Sequence, residues 1–176
     1  IRNSNITTSV PRMYSISNTL SDTVYNTIDW TDKTYNTPTM QFNCVNDQGQ
    51  CGTCWAHAVI TCITIRLAIS TGYYLPLSII QLVGCDEYDG GCDGGLMISA
   101  MTWISNNYLD GPWCDNNLYD DSSCCNFSCP NNCNSLSEYK VTCKNIQGPL
   151  TPSKEQIIDA LQSGPITIAI YADDNF

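Results

Sequence analysis

Residue types suited to nucleophilic and proton-transfer chemistry converge on one short segment, Asp47-Gln48-Gly49-Gln50-Cys51-Gly52-Thr53-Cys54-Trp55-Ala56-His57. A thiolate attacks an acyl carbon far better than a thiol, so a site that used Cys54 in this way would have to lower its pKa. A cysteine at a helix start meets the positive end of the helix dipole, and a neighbouring imidazolium would complete an ion pair. The Cys51-x-x-Cys54 spacing also fits thiol–disulfide exchange. That chemistry belongs to a βαβ context, whereas the stretch from Ile28 to Gln50 reads as irregular. Taken alone, without its context, Cys54 reads first as one more disulfide cysteine.

His57 is the single histidine and lies three residues after Cys54. Positions i and i+3 are neighbours on a helix. A productive imidazole, however, approaches the thiolate from across a cleft and is oriented by a third group. His57 is therefore expected to pack as a helix histidine.

The elements that must position these residues follow from periodicity. Ala56, Val59, Ile60, Ile63, Leu67 and Ala68 recur at helical spacing and predict a helix from near Cys54 to Thr71, with Gly72 as its stop. Shorter helices are expected at Leu77–Val83 and Leu96–Ser105. Residues 108 to 136 combine aspartates and asparagines with a knot of cysteines, which is loop chemistry held by covalent links. Glu138 to Cys143 alternates like a strand, Thr151 to Glu155 is a helix start leading into Ile157–Leu161 with Gly164 as its end, and Ile166 to Tyr171 is strand-like by β-branching. Helices early and strands late imply an α+β class with a helical half and a sheet half.

Composition narrows the setting. The chain has 176 residues and a net charge of −10, from 7 basic and 17 acidic residues. That balance argues against nucleic acid or an anionic membrane as a partner, since both need a basic footprint. No apolar run approaches the roughly 20 residues of a spanning helix; the longest, Ala58 to Ser70, is broken by Thr61, Thr64 and Arg66. Twelve cysteines suit an oxidising compartment. The sequons at Asn5 and Asn126 point the same way, toward a secreted or lysosome-like setting. Cys124, Cys125, Cys129 and Cys133 could also be read as a zinc set. With no histidine beside them, disulfides are preferred and neither metal nor cofactor is expected. Residues 1–27, rich in Ser, Thr and Asn, read as an N-terminal extension or a propeptide remnant.

The segment around Cys54 closely resembles the active-site signature of papain-like cysteine proteases, C-G-[SA]-C-[WY], with Thr53 where Ser or Ala is usual. Leu77 to Cys85 resembles that family's "LSEQQLVDC", Gly91 to Met97 its "GCNGG" turn, Ser163 to Ile170 its "GPVSVAI" strand, and Asp29-Trp30 the start of its mature enzymes. The resemblance implies a two-lobe fold over residues 28–176. The helical lobe would span about 41–136, and an incomplete antiparallel β-barrel lobe would begin at about 137. It implies peptide-bond hydrolysis through a Cys54 thioester, with Cys54 N–H and the Gln48 side chain as oxyanion donors. Gly94 and Gly95 would offer backbone to an extended substrate, and Met97 and Ala169 would line a pocket for a substrate side chain. A Cys51–Cys92 disulfide is implied, together with a bridge from Cys85 to the 114–133 loop; Cys62 remains as a buried thiol. An endopeptidase is the default, with peptides or proteins as substrates and propeptides or protein inhibitors as partners.

The family's histidine and asparagine lie about 130–150 residues after the nucleophile, hence past Phe176. They are expected from a C-terminal segment or a separate light chain. The alternative is a catalytically inactive structural or peptide-binding protein on the same fold.

Overall fold

The computed structural model describes Trp30 and residues 47–72, 74–111, 140–144, 146 and 151–171. Its central element is α1 (Cys54–Thr71), with the bounds its apolar spacing predicts. Ala56, Val59, Ile60, Ile63, Leu67 and Ala68 are all buried, and so are Cys62, Thr64 and Arg66 on other sides of the helix. A helix enclosed over so much of its circumference is a core helix. By length and composition it would also suffice to cross a membrane, contrary to what its interruptions suggest, but most of it is buried inside the protein. At its end the Gly72 N–H donates to Ala68 O at 2.8 Å, and the hydroxyls of Ser70 and Thr71 bond Leu67 O.

Helix α2 (Ile79–Cys85) starts two residues later than predicted, because the Ser78 hydroxyl takes the N-cap and accepts from Gln81 N. Leu77 stays outside the helix yet joins the same core cluster as Leu82, as a residue flanking a cap does when it staples the first turn. A 3-10 turn at Gly91–Asp93 leads to α3 (Met97–Asn106). Both α2 and α3 pack on α1, joining Leu82, Val83, Ala100, Met101, Trp103 and Ile104 to its apolar face. Each of the Val, Leu, Ile and Met side chains among them contributes about 1.5–3 kcal/mol on burial.

Two short antiparallel strands close this layer. In β1 (Leu109–Asp110) and β2 (Lys140–Val141), Leu109 stands opposite Val141 and Asp110 opposite Lys140. Buried Gln81 locks β1 to α2: its Nε2 donates to Tyr108 O, and its Oε1 accepts from Asp110 N at 2.7 Å. Helix α4 (Lys154–Gln162) begins with a capping box between Ser153 and Gln156 and buries Ala160.

One expectation fails. Residues 165–171 form no strand, and Ile168, Ile170 and Tyr171 are exposed, Tyr171 by 91%. β-Branching and alternation report readiness to pair, but a strand exists only where another edge supplies hydrogen bonds, and among the described residues none does. Helices with a small antiparallel sheet make the fold α+β. The sequons at Asn5 and Asn126, the N-terminal extension, and Cys44, Cys114, Cys124, Cys125, Cys129 and Cys133 lie outside the described residues.

Candidate functional site

The approach to α1 is a sequence of tight turns. Gly49 N donates to Asp47 Oδ1, Cys51 N to Gln48 O, and Thr53 N to Cys51 O at 2.7 Å. This path delivers Cys54 to the first position of α1 as a free, exposed thiol. Its neighbours Thr53 and Trp55 are buried, so backbone and packing on both sides hold the thiol at the surface. The first N–H groups of a helix lack intrahelical partners and carry the positive end of its dipole. Negative charge that develops on an oxygen bound at this spot is therefore favoured.

The segment is fastened to the 3-10 turn in three ways. Cys51 and Cys92 are joined by a disulfide. Gly52 N donates to Cys92 O at 3.0 Å, and Trp55 Nε1 donates to Gly91 O at 3.0 Å. A Cβ at Gly52 would fall 2.5 Å from Cys92 O, so only glycine permits this approach. Gly95 is equally hemmed in, since a Cβ there would lie 2.7 Å from Trp55 Cδ2 and 2.8 Å from Asp89 Cγ. Gly94 faces open space. The two glycines therefore differ: a side chain would find room at Gly94, whereas the bare Gly95 lets the turn pack under the tryptophan next to Cys54.

Of the other predicted site residues, Gln48 is half-buried in the turn before Cys51, Met97 is half-buried against the core, and Ala169 is exposed on segment 165–171. That segment is tied to α1 by Arg66, whose Nε donates to Pro165 O at 2.7 Å and Nη1 to Ser163 O at 3.4 Å. The Cys62 thiol donates to Pro165 O as well. His57 is half-buried; burial pushes its pKa down and the Asp47 carboxylate partly restores it, which favours a neutral imidazole at pH 7. Cys85 is disulfide-bonded.

Sequence reasoning missed two features. Arg66 registered only as an interruption of an apolar run, yet it is 1% exposed and bonds two carbonyls far along the chain; a lone charge inside a core helix was the available signal. Cys143 is a third free thiol, buried like Cys62. Burial raises the pKa of both, with Cys143 pushed up to about 12, so neither is a nucleophile near neutral pH.

A model of the papain family of cysteine proteases matches residues 24–176. The chain is 29% identical over 170 residues to the senescence-specific cysteine protease SAG39 of Oryza sativa subsp. indica, covering 96% of this chain and 46% of the relative. It thus spans about half the length of that relative. Among solved structures it is similar to the Carica candamarcensis cysteine protease CMS1MS2 in complex with E-64, at 33% identity with a TM-score of 0.40, over 48% of this chain and 37% of that one. It is also similar to the ragweed pollen allergen Amb a 11 cysteine protease in its proform, at 42% identity with a TM-score of 0.33, over 36% of this chain and 20% of that one.

Proposed function

The chain belongs to the papain family of cysteine proteases, and from that premise we propose that Cys54 is the nucleophile of a peptidase that cleaves internal peptide bonds. The observation that carries the reading is the placement of Cys54: free, exposed, first in α1, and braced by the Cys51–Cys92 bridge and by Trp55. In the first step the Cys54 thiolate attacks the scissile carbonyl carbon. The oxyanion that forms accepts hydrogen bonds from Cys54 N–H and the Gln48 amide. The amine leaves with a proton from an imidazolium, and a thioester remains. Water then attacks the thioester, gives a proton to the imidazole, and releases the acid with Cys54 restored.

The imidazole is assigned to polypeptide outside residues 1–176, together with an asparagine that orients it, either as a C-terminal segment or as a light chain. His57 does not fill this role, because it lies three residues after Cys54 on the same helix and is half-buried. Gly94 and Gly95 pair with an extended substrate, and Met97 and Ala169 line the pocket for one of its side chains. Residues 28–176 make up the peptidase part, with a helical lobe over about 41–136 and the β lobe from about 137; residues 1–27 are an extension or propeptide remnant. A propeptide and protein inhibitors are the assigned partners, and a secreted or lysosome-like compartment is the setting, in keeping with the disulfide bonds. The test is labelling of the folded, full-length protein with a peptidyl epoxide, followed by mass mapping. An adduct on Cys54, absent from C54A, is expected. A folded, full-length protein whose Cys54 stays unlabelled would leave a protease-shaped scaffold instead.

A further inference from the structure

We propose that Asp89 is a positioning residue: its side chain fixes the Gly94–Leu96 backbone against Trp55, and so sets where an extended substrate lies relative to Cys54. The consequence for substrate rests on the peptidase reading above; the hold on the backbone does not.

The composition of the turn makes such a hold necessary. Gly90, Gly91, Gly94 and Gly95 fall within one short stretch, and Gly91 and Gly94 sit at φ 60° and 108°. Glycine loses more conformational freedom on ordering than any other residue, so the stretch keeps one shape only where something ties it. Its first half is tied to the approach to α1 by the Cys51–Cys92 bridge, by Gly52 N on Cys92 O and by Trp55 Nε1 on Gly91 O. All three act on Gly91 and Cys92.

Asp89 ties the second half. Its Oδ1 accepts from Leu96 N at 2.8 Å, across seven residues of chain. Leu96 is the N-cap of α3 and makes no side-chain cap of its own, so this bond fixes the entry to that helix. Gly90, the residue after Asp89, donates its N–H to Gly94 O at 2.9 Å. The Asp89 side chain also packs on the backbone it bonds. A Cβ at Gly95 would lie 2.8 Å from Asp89 Cβ and Cγ and 2.7 Å from Trp55 Cδ2, so Gly95 sits in a slot between Asp89 and the indole that follows Cys54. Gly94 O and Leu96 N are thus engaged, and Leu96 O accepts from Ala100 N at 3.1 Å. Gly95 between them makes no backbone hydrogen bond among the described residues. Its N–H and C=O are left for the backbone of an extended peptide, and Asp89 holds the residue on which they are carried.

The test compares two reagents for the Cys54 thiol in the full-length protein and its D89A and D89N variants, with mass mapping. A peptidyl epoxide has a backbone to pair with the turn, whereas iodoacetamide has none. In D89A, epoxide labelling should slow about tenfold while iodoacetamide labelling keeps its rate. D89N retains a side-chain oxygen in the same place and should restore most of the epoxide rate. Unchanged epoxide labelling in D89A, equal slowing with both reagents, or D89N as slow as D89A overturns the proposal. Hydrogen exchange at the Leu96 amide reads the hold without any substrate. Its protection should fall about tenfold in D89A and persist in D89N; a Leu96 amide still protected in D89A overturns the proposal. If D89A does not fold, a pH titration of the wild type decides. The Leu96 amide proton should then shift in step with the Asp89 carboxyl carbon, and an amide blind to that carbon overturns the proposal. The two readings fail separately. A wild type that iodoacetamide labels and the epoxide does not, with Leu96 protection lost in D89A, removes only the peptidase reading. An epoxide adduct on Cys54 with Leu96 indifferent to D89A removes only the positioning role.

Discussion

Removing the Cys51–Cys92 bridge should cost a large share of the stability that a domain of this size possesses. The perturbation is the double variant C51A/C92A, which leaves no stray thiol. The bridge spans 41 residues of sequence, and closing a loop of that length removes about 13 cal/mol/K from the unfolded chain, or about 4 kcal/mol at 25 °C. For a domain of this size that corresponds to a drop in Tm of about 8–16 °C. The native state should change little, since Gly52 N on Cys92 O and Trp55 Nε1 on Gly91 O hold the same two segments together without the bond. The denaturation midpoint of the full-length protein should therefore fall while the m-value rises, because the unfolded chain has lost its cross-link. A loss below about 1 kcal/mol would refute the chain-entropy reasoning. A loss well above the expected value, with Trp55 fluorescence altered in the native state, would show that the bond itself shapes the approach to Cys54.

Three further outcomes follow from named contacts. G52A places a Cβ 2.5 Å from Cys92 O and should cost about 1–3 kcal/mol by forced displacement, read by urea denaturation; a neutral effect would mean the turn moves freely. Iodoacetamide at pH 8 should modify Cys54 in the native protein and reach Cys62 and Cys143 only in denaturant, because burial raises both of their pKa values. Rapid native labelling of Cys143 by mass mapping would contradict its burial. R66M keeps the side-chain volume but strips the Pro165 and Ser163 carbonyls of a charged donor, which should cost about 2–4 kcal/mol. A more stable variant in thermal melts would show that desolvation of the guanidinium outweighs its hydrogen bonds.

Much of the helical half was legible in the residues themselves. The bounds of α1 follow from apolar spacing between Cys54 and Thr71, because a helix repeats its contacts every three to four residues. The helix start at Thr151–Glu155 is likewise written locally, since a cap bonds a backbone N–H only two or three residues away, whereas apolar spacing at Leu77 hid the Ser78 cap that sets the start of α2. The resemblance of the Cys51–Trp55 and Gly91–Met97 segments to a known family implies the Cys51–Cys92 bridge, and the structure contains it.

What the local pattern could not supply depends on partners distant in sequence. Ile166–Tyr171 reads as a strand, yet pairing needs an edge that the segment does not carry itself. Arg66 looks like an interruption until Ser163 and Pro165 fold over it, 97 and 99 residues later. Gly95 reads as open backbone, and only the packing of Trp55 and Asp89 shows that it fills a space with no room for a side chain. Asp86 is the clearest case. It is one of many acidic residues in the sequence. Burial pushes its carboxyl up to about 6, and burial is a property of the whole fold. Spacing along the chain thus determined which residues could act, while tertiary packing decided which of them are held, hidden or charged, because solvation and hydrogen-bond partners exist only once the chain has closed on itself.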